Sequence, residues 1–152
     1  MQLKNLLRAI FLTSLIPYVT WGQDSGDSYG YVQKAQSATV KRYCQTLQLK
    51  DDPELIAEYE KWHLSENIWK EITAGLKKVG VIDSEIYRHG TLLVMILTVP
   101  ADFDFEKQMG KLAGLPRQAE WEEFMSKYQA SDPNASSSEK WVQMKRIFKL
   151  DS

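Results

Sequence analysis

From residue 40 onward, apolar and polar positions switch between two periods. In Val40–Leu49, "VKRYCQTLQL", side chains alternate, with Tyr43, Leu47 and Leu49 on one face and Val40, Cys44 and Thr46 on the other. That alternation predicts a strand. "DDPEL" then opens a helix: Asp51 or Asp52 can cap it, Pro53 suits the first turn, and Glu54 complements the positive end of the dipole. The helical pattern runs to Lys78 and stops at Gly80. It is not one straight helix. Leu55, Ile56, Tyr59, Trp62 and His63 share roughly a third of the circumference, whereas Ile68, Trp69, Ile72, Leu76 and Val79 form a stripe rotated by more than about a third of a turn. An interruption at Leu64–Asn67, with Ser65 capping the second piece, lets both stripes face one sheet.

"VIDSEIYRHGTLLVMILTV" predicts two strands around a tight turn at His89–Gly90. Leu92–Val99 is almost continuously apolar, the mark of a central strand. A helical region follows Pro100, divided at Pro116. "ASDPNASSSE" reads as a loop, and "WVQMKRIFKL" as a last strand with Val142, Met144, Phe148 and Leu150 on one face. The order β-α-β-β-α-β predicts an α+β, ferredoxin-like protomer: a four-stranded antiparallel sheet with its helices on one face. The other face is left bare. A second copy covering it makes a homodimer the expected partner.

The first 38 residues have a different character. "MQLKNLLRAIFLTSLIPYVTWGQ" places Lys4 and Arg8 at the head of an apolar stretch, with no acidic residue before Asp24 and with Thr20 and Gly22 as small residues before a cut. This predicts a secretory signal peptide over 1–22, too short to span a bilayer comfortably. A buried helix of a cytoplasmic chain is the alternative. Residues 23–38, polar with two glycines, read as a flexible linker, leaving 39–152 as the folded domain. A periplasmic or secreted location follows, with no membrane association once the leader is removed.

Composition narrows the classes. With 43% hydrophobic and 26% charged residues in 152, the chain is an ordinary globular protein of one domain plus extensions. Its formal charge is −1; losing residues 1–22 removes two of 19 basic residues and none of the 20 acidic ones, giving −3. No basic stripe exists, which argues against nucleic acid. Cys44 is the sole cysteine, so an intramolecular disulfide and a thiolate metal cluster are both excluded. It reads as a small core residue rather than a catalytic thiol. The acids of "DFDFE" read as helix-dipole partners rather than a cation site.

The candidate chemistry lies in "AEYEKWHLSENIWKEI", Ala57–Ile72. His63, one of two histidines, stands among Tyr59, Trp62 and Trp69, while His89 sits at a turn facing solvent. Tyr59 and His63 are one turn apart and can address one ligand. Histidine is the side chain whose charge changes near neutral pH. In the last turn of a helix, the partial negative charge there favours imidazolium.

From Lys41 to Leu150 these features resemble the L-rhamnose mutarotases, small dimeric α/β-barrel sugar isomerases with a ferredoxin-like protomer. "EYEKWH" matches that family's E-Y-x-x-x-H, followed by Ile68–Trp69, "EIYR", "WEEFM", Pro133–Asn134 and Phe148. The resemblance implies that His63 is the general acid, that Tyr59 touches the sugar, and that Trp121 is the first tryptophan of a Trp-Trp pair. It implies a monosaccharide substrate and no cofactor. Three departures stand out: Glu122 replaces the second tryptophan, Ser84 replaces a tyrosine, and two extra residues separate His63 from Ile68. L-rhamnose or a related 6-deoxy sugar such as L-fucose is the expected substrate. A non-catalytic sugar-binding module, or an oxygenase or haem-handling protein on the same barrel, is the alternative. Glu122 is open between an acceptor for sugar hydroxyls, a base and a solvated helix residue.

Overall fold

The computed structural model of the chain describes residues 38–132 and 135–150. The expected leader, all but Ala38 of the expected linker, and the Pro133–Asn134 pair lie outside them.

Alternating side chains build the sheet. β1 (Val40–Gln48) pairs antiparallel with β3 (Leu92–Pro100), which pairs antiparallel with β2 (Asp83–His89). A two-residue β4 (Val142–Gln143) adds to the other edge of β1, giving the order β2-β3-β1-β4. This is the ferredoxin-like topology. Leu47 lies opposite Leu93, and Tyr43 opposite Leu97, so one face collects the apolar side chains that the helices cover. Gly90, at φ 60°, takes the first position of the two-residue β2–β3 turn, where Gly escapes the steric cost of a left-handed backbone. The turn thus centres on Gly90–Thr91, one residue later than the sequence suggested.

The helices start and stop where local chemistry directs. Asp52 caps α1 (Pro53–His63): Oδ1 accepts from the Glu54 and Leu55 amides at 2.9 and 3.2 Å. The interruption falls as expected at residue 64, where Leu64 turns extended, and Asn67 Nδ2 donates to the Lys61 carbonyl at 2.8 Å, satisfying an orphan acceptor of the helix end. α2 (Lys70–Lys78) begins after Trp69 with no side-chain cap; Ser65 instead bonds Glu66, so the expected Ser65 cap is absent. It ends with Val81 N–H donating to Leu76 O and Gly80 N–H to Lys77 O, Gly80 being at φ 97°. That is a Schellman motif. α3 (Phe105–Ala113) is capped by Asp104, and α4 (Gln118–Ser126) follows the break at Pro116. A short α5 (Ser137–Lys140) leads into β4.

Two apolar clusters fill the space between sheet and helices. Leu47, Leu49, Leu93, Tyr59, Trp121, Tyr128 and Trp141 belong to one; Val79, Val81, Leu97, Val99, Phe103 and Leu112 to the other. Each buried side chain of this size contributes about 1.5–3 kcal/mol from removal of its surface from water.

Two expectations fail here. Cys44 is only half-buried and lies on the helix-free face, its Sγ 3.6 Å from Met144 Sδ, because strand alternation sends position 44 away from the core. The last strand is also far shorter than Trp141–Leu150. After Met144 N–H donates to Cys44 O at 2.7 Å the chain leaves the sheet, and Ile147 (93% exposed), Phe148 (75%) and Leu150 (81%) face outward. Among the described residues of one protomer, no strand stands beyond this edge to pair with the segment.

Candidate active site

His63 is the last residue of α1 and sits between two aromatic side chains. Its ring packs on Tyr59 with centroids 4.1 Å apart and meets Trp121 edge-on at 5.6 Å. Trp121, from α4, contacts Trp69 at 5.3 Å, and Trp69 stacks on Phe124 at 5.7 Å. The rotated second stripe of the sequence accounts for this geometry. The break at Leu64 lets Trp69 turn towards α4 while Tyr59 and His63 stay on the face of α1 that meets Trp121.

The imidazole is oriented by its own helix. Nδ1 lies 2.8 Å from the Tyr59 carbonyl oxygen, which can only accept, so Nδ1 carries the proton. Nε2 is the bare nitrogen of the neutral ring and has no hydrogen-bond partner among the described residues. Burial holds the His63 pKa below its ordinary value, and the Tyr59 carbonyl only partly offsets this. Burial thus works against the imidazolium that the helix end was expected to favour.

Tyr59 is 3% exposed, and its hydroxyl has no partner among the described residues. Burial first, and then the negative charge of Glu122, push its phenol far above the usual range, so it remains protonated. Glu122 is not the solvated helix residue that was one of its readings. It is half-buried and held by Gln118, whose Nε2 donates to Oε1 at 2.9 Å. Gln118, itself buried, escaped attention in the sequence. The i to i+4 spacing of glutamine and glutamate was the available signal.

Arg117, just before α4, has a left-handed backbone (φ 62°). Its guanidinium lies 3.9 Å from the Trp69 ring and pairs with Glu120 at 3.2 Å and Glu71 at 3.8 Å.

The structure therefore brings Tyr59, His63 and Trp121 together, with Glu122 next to Trp121 on α4. It does not bring Ser84 with them. Ser84 is exposed on β2 opposite Leu97, a residue of the second cluster, whereas Leu93 of the first cluster is four residues away along β3. At about 3.3 Å per residue that separation is roughly 13 Å. A depression of about 390 Å³ opens elsewhere, at the β1–β4 edge, lined by Val40, Arg42, Cys44, Met144 and Arg146 among others. Among the described residues no histidine or carboxylate lines it, so it offers no acid–base pair.

A ferredoxin-like α+β protein with an aromatic-walled histidine defines the class. The L-rhamnose mutarotase family model matches residues 42–150, and the chain belongs to that family of isomerase-class carbohydrate enzymes. Among relatives, it is 40% identical over 112 residues to the L-fucose mutarotase of Xanthomonas campestris pv. campestris, covering 74% of this chain and 90% of that one. It is 38% identical over 119 residues to a UPF0734 protein of Dictyostelium discoideum, covering 76% and 94%. Among solved structures, an L-rhamnose mutarotase from Formosa agariphila shares the fold with a TM-score of 0.55 at 19% identity, over 73% of this chain and 99% of that one. Tetracenomycin F2 cyclase from Streptomyces glaucescens does so at 0.51 and 12%, over 74% and 98%.

Proposed function

We propose that the protein interconverts the α and β anomers of L-rhamnose or a related 6-deoxy sugar such as L-fucose, without a cofactor, by acid–base ring opening at His63. The observation that carries this reading is the bare Nε2 of His63, fixed by the Nδ1–Tyr59 carbonyl bond between a phenol and an indole. In a cyclic aldose the anomeric hydroxyl and the ring oxygen are bonded to the same carbon. One imidazole nitrogen can therefore serve both. Neutral His63 accepts the anomeric proton as the bond between that carbon and the ring oxygen breaks. The imidazolium so formed is the general acid that protonates the ring oxygen. The open-chain aldehyde rotates about its bond to the next carbon, and the same steps in reverse close the other anomer. Tyr59, a protonated donor, holds a sugar oxygen, and Trp121 offers a flat surface to the C–H face or methyl group.

Saturation-transfer NMR on L-rhamnose and L-fucose reads anomer exchange at equilibrium. Exchange by the parent, lost about 10²–10⁴-fold in His63→Asn with the fold retained, supports the reading. Sugar binding with no exchange makes the protein a binding module instead.

The same proposal includes a homodimer closed over the helix-free face and export directed by residues 1–22. The first is supported by the outward-facing Ile147, Phe148 and Leu150, the second by the amino-terminal charge and apolar pattern.

A further inference from the structure

Glu122 presents an unusual arrangement of charge. The residue is half-buried, yet no lysine or arginine among the described residues lies within ion-pair distance of its carboxylate. What holds it is neutral: the amide of Gln118, 7% exposed, at 2.9 Å. A partly desolvated carboxylate without a cation is costly unless other donors reach it. A carboxylate accepts at about four lone-pair sites, and Gln118 supplies one donor. Gln118, Trp121 and Glu122 share one face of α4 at i, i+3 and i+4, and on that face the Trp121 ring meets His63. The Tyr59 phenol is unpartnered among the described residues. A fixed acceptor therefore flanks the indole that meets the His63 ring, and a free donor belongs to the phenol packed on that same ring. Hydroxyl groups, which donate and accept at once, satisfy both.

We infer that Glu122, held in place by Gln118, selects the substrate: it accepts a hydrogen bond from one ring hydroxyl of the aldose at the site shared with Tyr59 and His63. The substrate class is an aldose bearing a hydroxyl at that carbon, as opposed to one bearing hydrogen or a methyl group there. Gln118 is the positioning residue, because it fixes Oε1 and so sets where the remaining lone pairs point. This rests on the sugar reading given above and adds to it which residue reads the sugar. His63 acts on the two oxygens of the anomeric carbon; Glu122 acts on a different hydroxyl and governs affinity.

The test measures kcat and KM for anomer exchange on whichever of L-fucose and L-rhamnose exchanges faster, and on its analogues deoxygenated singly at C2, C3 and C4. The parent should lose tenfold or more in kcat/KM on one analogue, chiefly through KM, because that analogue leaves the carboxylate unsatisfied. Glu122→Leu should erase the gap between that analogue and the full sugar, and the isosteric Glu122→Gln should narrow it. Gln118→Leu, which leaves the carboxylate but frees it, should raise KM for the full sugar with kcat kept. An unchanged penalty profile in Glu122→Leu overturns the inference. So does a uniform loss of kcat on every sugar, which would make Glu122 a base. In both cases the parent still exchanges sugar and the mutarotase reading stands. A parent that neither exchanges nor binds any of these sugars overturns that reading, and the inference with it.

Discussion

The Nδ1 atom of His63 lies 2.8 Å from the backbone carbonyl of Tyr59, four residues earlier on the same helix. One hydrogen bond thus fixes both the tautomer and the tilt of the ring, and it does so with backbone that no side-chain substitution at position 59 removes. The phenol of Tyr59 and the proton state of His63 are separable features of one helical turn.

The pH dependence follows from the sign of the His63 shift. Burial lowers its folded-state pKa below the unfolded value near about 6.5. In the proposed mechanism the competent ring is neutral, so exchange should be constant through neutral pH and fall only below that value. For stability, between the folded and unfolded pKa values the unfolded chain binds the proton and the folded one does not. Stability from this group is therefore complete above the unfolded pKa and is lost as pH falls towards the folded one. A pH–rate profile with its acid limb centred above 6.5 would contradict the assignment.

Trp121 holds two roles that substitution can separate. It is 6% exposed within the first cluster, so Trp121→Ala should destabilise the fold by about 3–5 kcal/mol. Trp121→Phe keeps a ring against His63 and Trp69 and should stay folded while sugar affinity weakens. Denaturant unfolding beside KM measurement reads both; wild-type KM in Trp121→Phe would make the tryptophan a packing residue alone.

Assembly can be read directly. The outward Ile147, Phe148 and Leu150 are left exposed by the described residues of the protomer, and burying them in a partner would contribute several kcal/mol. Light scattering at micromolar concentration should give dimer mass, and Phe148→Lys should shift it towards monomer. Monomer mass for the parent would refute the homodimer.

Export predicts a shortened chain. Expressed with its native amino terminus in a secreting bacterium, the protein should lose about 22 residues. An intact mass that retains Lys4 and Arg8 would show that this segment stays with the working protein.

Two departures from the family pattern now part company. Glu122 lies beside Trp121 on α4, whereas Ser84 is exposed on β2 at the level of the second cluster. Glu122→Trp alone should shift the ratio of exchange rates towards L-rhamnose over L-fucose, and Ser84→Tyr should leave that ratio unchanged. A ratio that moves with Ser84→Tyr would place β2 in the substrate wall.

What could be read from residues alone was what short-range physics decides. Asp52 before Pro53, the rotated stripe after Leu64 and Gly80 after Lys78 each specify a local geometry, and each is found. The Tyr59–His63 pair and its neighbour Trp121 were legible because helical spacing and the family motif agree. The remainder depended on distance in space. Whether Ser84 is near His63 is settled by the register of β2 on β3, which its own sequence does not encode. Glu122 looked solvated until Gln118 was seen to hold it. The carboxy-terminal alternation was real, but alternation makes a strand only where a partner edge exists.

Arg117 gives the site a dependence that the near-neutral charge of the chain conceals. A non-glycine residue in the left-handed region costs on the order of 1 kcal/mol, here at the first step into α4. Its guanidinium is held over Trp69 and against two exposed glutamates, contacts that dissolved ions weaken. The next residue is Gln118, and one turn on are Trp121 and Glu122. Arg117 thus ties the start of α4 to surface electrostatics, and added salt should loosen that tie. Anomer exchange should therefore respond to ionic strength, although neither the proposed sugar nor the proposed chemistry carries a net charge.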